Sequence, residues 1–375
     1  MREKISYKSV FIFLILIISH NRAAAQIAPE YYYSKWRSPP YRTAVVNKGN
    51  STKELFGVSS ARRQTSVSII ESAGEIIKKN HVFSLLLIDE NNEIIFESYS
   101  KGARKDSILL GHSMTKSISP IIVGQYVCDG LIESLNDRAD KYSKSLKGTA
   151  YGDATIKELL MMASTGSIAA VQGQPVEGFN RDLMLTQKRS LKDSFVEFGR
   201  DQKNPSKIGV FSYKALDTIA LSFVVSEIKN TKYQNVISQY VWSKIGAEKN
   251  AEIVIDRNND ALAASHFGAT PRDWARLAIF VRDNAKANTC FGKFLKEATS
   301  GQIKNNSNIA PGLTKYGYQI WTDNKFVESK AAWFSGYGGQ LVGIDLERGK
   351  ILVMLSYDRG GIREAYKLFN KWIKS

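Results

Sequence analysis

Two strongly β-forming stretches stand near opposite ends of this chain. One is His81–Ser100, where VFSLLLID and EIIFESYS flank the turn Glu90-Asn91-Asn92. The other is Lys350–Ser356, KILVMLS. A lone hairpin or a single strand cannot bury enough surface to stand alone. Between them, from residue 150 to about 310, helical segments alternate with polar loops. A chain so patterned must bring its ends together into one sheet and carry the middle as an insertion. Further strands are expected at Gly317–Thr322 and Gln340–Asp345. Helices are expected at residues 66–79, Thr155–Ala163, Asp217–Lys229 and Ile362–Lys374, from apolar spacing. Thr155 with Glu158 three residues on makes a capping box that marks a helix start. The expected class is α+β, a sandwich with a mostly antiparallel sheet flanked by helices. Its sheet lobe covers about 66–110 and 312–375, and its helical lobe about 111–311. At 375 residues and 43% hydrophobic content, a core of that size is within reach.

The first 25 residues read as an export leader. Arg2, Lys4 and Lys8 precede the apolar run Val10–Ser19, and Ala23-Ala24-Ala25 offers a cleavage site before Gln26. The run is short for a membrane span, so an uncleaved anchor is the lesser alternative. Residues 26 to about 65 show little periodicity and read as an extended N-terminal arm ahead of a domain at 66–375. The formal charge is +16; the leader takes four cations (Arg2, Lys4, Lys8, Arg22) and one anion (Glu3), leaving about +13. Scattered lysines read first as a solvated surface, with an anionic cell-envelope polymer as a possible partner. No basic-aromatic array or nucleotide motif points to nucleic acid. An exported protein places Cys128 and Cys290 in an oxidising compartment, where they can pair. Cys128 lies in an apolar helical stretch, however, and reads first as a buried free thiol.

The chemistry-bearing segment is Gly111-His112-Ser113-Met114-Thr115-Lys116. A serine hydroxyl needs a base within reach to act as a nucleophile. Residues three apart share a helix face, so Lys116 can reach Ser113. Burial and a helix N-terminus would both disfavour its ammonium form. Ser-x-x-Lys alone is a weak signal, and its context strengthens it. It comes after Ile108-Leu109-Leu110 and opens a nearly uncharged helix running to about Asp129, where a lysine without a role would be costly. Pro120 inside that helix lacks an N–H for the carbonyl of Lys116, so a kink is expected. A rival reading takes Gly111–Thr115 as a Gly-x-Ser-x-Gly elbow. Thr115 in place of the last glycine counts against it. So does the histidine supply, since only His266 comes after Ser113.

Ser113-Met114-Thr115-Lys116 resembles the first motif of the serine β-lactamase and penicillin-binding-protein superfamily. The similarity runs from about residue 82 to 372 and is nearest to the class C-like branch of carboxylesterases and 6-aminohexanoate-dimer hydrolases. Asp129–Ile132 and Thr155–Gly166 resemble the family's stretch after the nucleophile helix. The resemblance implies that Tyr213, in Phe211-Ser212-Tyr213-Lys214-Ala215, is the proton relay working with Lys116. It implies that Phe334–Gln340 is the glycine-containing strand beside the serine. Ser335, Gly336 and Gly338 would then meet substrate, and the N–H groups of Ser113 and Tyr337 would form the oxyanion hole. Arg272–Arg276 resembles a family helix and reads as scaffold. Phe334 stands where β-lactamases and transpeptidases usually carry a cation, and Ala215 replaces a frequent asparagine. Both departures point away from β-lactams. The expected function is an exported, periplasmic or secreted serine hydrolase, cleaving a small ester, amide or peptide through an acyl-enzyme on Ser113, without metal or cofactor. The alternatives are a penicillin-recognising D-alanyl peptidase or β-lactamase, and a non-catalytic binding protein on the same scaffold.

Overall fold

Strands from both ends of the chain do meet. The computed structural model describes residues 29–59, 66–166, 187–199, 207–307, 309–310 and 312–375. Its larger sheet is antiparallel and eight-stranded. The members are β2 (Val82–Ile88), β3 (Ile94–Tyr99), β7 (Ile303–Lys304), β8 (Leu313–Tyr316), β9 (Trp321–Asn324), β10 (Ala331–Gly336), β11 (Gln340–Asp345) and β12 (Ile351–Ser356). They run in the order β3-β2-β12-β11-β10-β9-β8-β7. The central pairing joins β2 to β12, with Leu86 opposite Val353. Both strands are buried on both faces, which explains their unbroken apolar runs. Leu85, Leu87, Leu352 and Met354 face α1 (Val67–Lys79) and the C-terminal helix (Ile362–Ile373). Leu86, Ile88, Ile351 and Val353 face the helical lobe. Burying each such side chain contributes about 1.5–3 kcal/mol.

Three expectations about the strands and the N-terminal arm need correction. The residues expected as one strand at Gly317–Thr322 form the turn between β8 and β9, plus the start of β9. The middle of the chain also contributes strands. A second antiparallel sheet joins, in spatial order, β1 (Arg42–Val46), β5 (Ala251–Ile255), β6 (Phe267–Ala269) and β4 (Leu109–Leu110). These strands are short and three of them lie among helices, so periodicity could not reveal them. The third correction concerns the N-terminal arm. Its described part is docked, with β1 pairing β5 over five residues and Tyr31, Tyr32 and Trp36 buried. The leader expected at residues 1–25 lies outside the described residues. Among the described residues no helix is long and apolar enough to cross a membrane.

The nucleophile segment is a 3-10 turn, His112–Ile118, followed by α2 (Ser119–Cys128) with Pro120 in its first turn. The break falls at the proline, as its missing N–H demands. The Lys116 carbonyl instead accepts from the Ser119 N–H. Downstream lie α3 (Ala215–Ile228), α4 (Pro271–Lys286) and α5 (Cys290–Ala298); the C-terminal helix is α6. The free-thiol reading of Cys128 is overturned. Cys128 ends α2, Cys290 opens α5, and the two form a disulfide with Cα atoms 5.8 Å apart. Cys128 lies past the buried part of α2, at its half-exposed end, so it never needed to be a core thiol.

Candidate active site

In a 3-10 turn, side chains three apart eclipse one another. Lys116 therefore stands directly over Ser113, with Nζ 3.2 Å from Oγ. Across residues 111–120 only Ser113 is not buried. The Lys116 amine also donates to the Ala264 carbonyl. Burial lowers its pKa from 10.5 to about 7, because an ammonium there loses its water. A large neutral fraction is thus present at pH 7, and the neutral amine can take a proton from the serine hydroxyl. The strand leading in, β4, is followed by Gly111, where a methyl group would collide with the Trp274 ring. This is what the Arg272–Arg276 stretch does here: Trp274 packs under the nucleophile turn, while Arg272 holds Glu97 at 2.6 and 2.7 Å.

Tyr213 sits just before α3. Its ring stacks on Trp321, with centroids 5.5 Å apart and planes 23° apart, and the Lys116 nitrogen lies 5.0 Å from its centroid. Burial raises its pKa to about 12, although a hydrogen bond with Ser113 works the other way. The phenol therefore stays protonated at neutral pH. The next residue anchors it. Lys214 is wholly buried, donates to the Ser164 carbonyl at 2.9 Å, and lies 3.7 Å from Asp217. Asp217 accepts from the Ser164 hydroxyl at 2.6 Å, and burial pushes its carboxyl up to about 6.

The end of β10 closes the other side. A methyl on Gly336 would collide with the Gly111 carbonyl and stand 3.2 Å from the Ser113 nitrogen. Only a residue without Cβ lets this strand lie so close. Ser335, Gly336 and Tyr337 are partly exposed there. Gly338 is different. It adopts φ +74° and is buried against Tyr32, so it shapes the turn from behind. Phe334 is fully buried and belongs to the core. The structure thus gathers Ser113, Lys116, Tyr213, Gly336 and Tyr337 into one place, from segments up to 224 residues apart in sequence.

One neighbour, Gln319, escaped the sequence reading, as did the place that His112 and His266 take in the packing. Gln319 is a hub. Its carbonyl accepts from Ser117 at 2.9 Å, and its side chain accepts from Thr218 at 2.7 Å and donates to Leu159 at 2.8 Å. His266 and His112 lie behind the serine, both kept neutral by burial. Lys116 repels a charge on either, and the pKa of His266 falls to about 4. No spacing rule marks these residues. The run Tyr31-Tyr32-Tyr33 with Trp36 was the one visible hint that the arm packs against something.

Known proteins share this arrangement of elements. The sequence model of the Beta-lactamase family matches residues 83–369. A 6-aminohexanoate-dimer hydrolase of Paenarthrobacter ureafaciens is 23% identical over 205 residues, which are 54% of this chain and 52% of that protein. The chain therefore aligns with about half the length of that curated relative. Among solved structures, a Bacillus anthracis protein provisionally named a 6-aminohexanoate-dimer hydrolase superposes with a TM-score of 0.69 at 21% identity, covering 89% of this chain and 90% of that one. The D-amino acid amidase of Ochrobactrum anthropi SV3 gives 0.64 at 14% identity, over 83% of this chain and all of the other. With the family match spanning most of its length, the chain belongs to the Beta-lactamase family of serine hydrolases.

Proposed function

We propose that this protein is an exported hydrolase that cleaves an ester or amide through an acyl-enzyme on Ser113. The observation that carries the reading is the 3.2 Å contact between Ser113 and a buried Lys116 whose amine is half neutral near pH 7. Lys116 takes the hydroxyl proton as Ser113 Oγ bonds to the carbonyl carbon. The backbone N–H groups of Ser113 and Tyr337 stabilise the resulting oxyanion; as it collapses, Tyr213 gives its proton to the leaving group and regains one from the Lys116 ammonium, which leaves both groups as they began. Ser335 and Gly336 line the substrate beside it. Water then attacks the acyl-enzyme and frees the serine. A small linear amide or an ester fits this reading, in keeping with the names of its relatives. Phe334, standing where β-lactamases and transpeptidases usually carry a cation, supplies none for the carboxylate of a β-lactam or peptidyl-alanine, which disfavours both. The Cys128–Cys290 disulfide supports export, as does the leader.

Exposure to a fluorophosphonate should add one adduct to the intact mass, mapped to Ser113, and Ser113→Ala should abolish both the adduct and hydrolysis of p-nitrophenyl acyl esters. Full esterase activity in Ser113→Ala would refute the assignment.

A further inference from the structure

The residue before the serine is held in an unusual shape. His112 has φ +46°, a left-handed conformation that residues with a Cβ seldom adopt. Its buried imidazole is surrounded by rings: Tyr32 at 5.3 Å, Tyr337 at 5.8 Å, His266 at 6.0 Å and Tyr31 at 6.4 Å between centroids. Two of these four come from the N-terminal segment, the short helix Pro29–Tyr33.

That segment is firmly seated. Trp36 is fully buried, its indole donates to the Tyr32 carbonyl at 3.2 Å, and its ring fills the space where a methyl on Gly268 would stand. The Tyr31 hydroxyl lies 3.0 Å from His266 Nε2, and His266 Nδ1 lies 2.6 Å from the Ser265 hydroxyl. Ala264, whose carbonyl holds Lys116, is the next residue along. Tyr32 reaches the other side, where the far edge of its ring packs against Gly338, two residues past the strand end that touches Ser113. One segment therefore braces three things: the residue before the nucleophile, the loop that holds the base, and the turn that carries Tyr337.

We infer that Tyr31 and Tyr32 are positioning residues for the Ser113 site, acting through the left-handed backbone of His112. The inference rests on Ser113 being the nucleophile. Without the two rings, His112 is free to relax to negative φ, which rotates Ser113 away from Lys116 and from the Tyr337 turn. The Tyr32 hydroxyl has no hydrogen-bond partner among the described residues, so it is the ring that braces. Glycine at position 112 adopts the left-handed shape without a Cβ penalty and removes the need for bracing.

The test uses the full chain, with two readouts: p-nitrophenyl butyrate turnover and the rate of fluorophosphonate labelling at Ser113. Tyr32→Ala should lower kcat and the labelling rate by about tenfold or more, with KM within about twofold of wild type. Tyr32→Phe should match wild type. Adding His112→Gly to Tyr32→Ala should recover a large part of the loss, which a merely structural defect would not allow. If Tyr32→Ala fails to fold, Tyr32→Leu, which keeps part of the apolar bulk but not the flat ring, carries the same expectations. Wild-type kcat in either variant, or a loss that His112→Gly leaves unchanged, overturns the inference while leaving Ser113 as nucleophile. Failure of the wild-type protein to label at Ser113 removes the nucleophile assignment, and the inference falls with it.

Discussion

Lys116 owes its chemistry to burial. An exposed lysine stays charged at neutral pH and cannot act as a base; this one titrates at about 7 because the fold strips its water. Ester hydrolysis should therefore rise with pH and level off above about 7. Tyr213, pushed up to about 12, keeps its proton throughout that range, so no matching fall is expected below pH 9. A flat profile between pH 5.5 and 8 would contradict the role given to Lys116. The same shift has a cost in stability. The folded pKa lies below the unfolded one, so between about 7 and 10.5 the unfolded chain binds more protons, and stability rises with pH across that window. Lys116→Met should cut kcat by about a hundredfold or more and erase the pH dependence, yet raise the melting temperature at pH 6. Tyr213→Phe keeps the stack on Trp321 and loses only the relay. It should lower kcat by about a hundredfold with little change in melting temperature, which a thermal scan beside the rate assay would show.

The elements that present these residues differ in how far they could be read from sequence. β11 and β12, and helices α1 and α6, lie within a residue or two of their expected bounds, because each carries a sustained pattern buried on one or both faces. The nucleophile turn was legible as a motif, and its break at Pro120 as a consequence of the missing N–H. Its 3-10 geometry was not, since that depends on β4 entering beside β6 and on Trp274 beneath Gly111. The second sheet was missed for the same reason. Strands such as Leu109–Leu110 and Phe267–Ala269 are defined by their partners rather than by their own residues. The close approach of β10 to the nucleophile yields a prediction at this scale. In Gly336→Ala the new methyl must push the strand off Gly111 and Ser113, because neither obstacle is a flexible side chain. The methyl also comes within 3.0 Å of Gln340 Cβ at the end of the β10–β11 hairpin, while the rest of that hairpin is untouched. Turnover should fall by about a hundredfold while denaturant unfolding changes little; unchanged turnover would mean that the strand end does not complete the site.

Over the whole molecule, the nucleophile helix is fastened at both ends. At its start, the 3-10 turn is wedged between β4 and β10. At its end, Cys128 is bonded to Cys290, closing a loop with a sequence separation of 162 that contains Tyr213 and two neighbours of Lys116, Ala264 and His266. Between the two fastenings α2 packs tightly on α5: a methyl on Gly124 would collide with the Phe294 ring. Cross-linking so long a loop removes much of the unfolded chain's freedom, with a typical gain of about 2–4 kcal/mol. It adds little to the folded geometry near Ser113, which lies at the opposite end of the helical segment. Stability and activity should therefore separate. The Cys128→Ser/Cys290→Ser protein should unfold about 2–4 kcal/mol more easily in urea and keep wild-type turnover at 25 °C. Reductant should do the same to the wild-type protein without prior denaturation, because Cys290 is exposed. A drop in turnover that precedes unfolding would show instead that the disulfide holds the site in shape, and that the tight contact of Gly124 with Phe294 cannot keep α2 in register by itself.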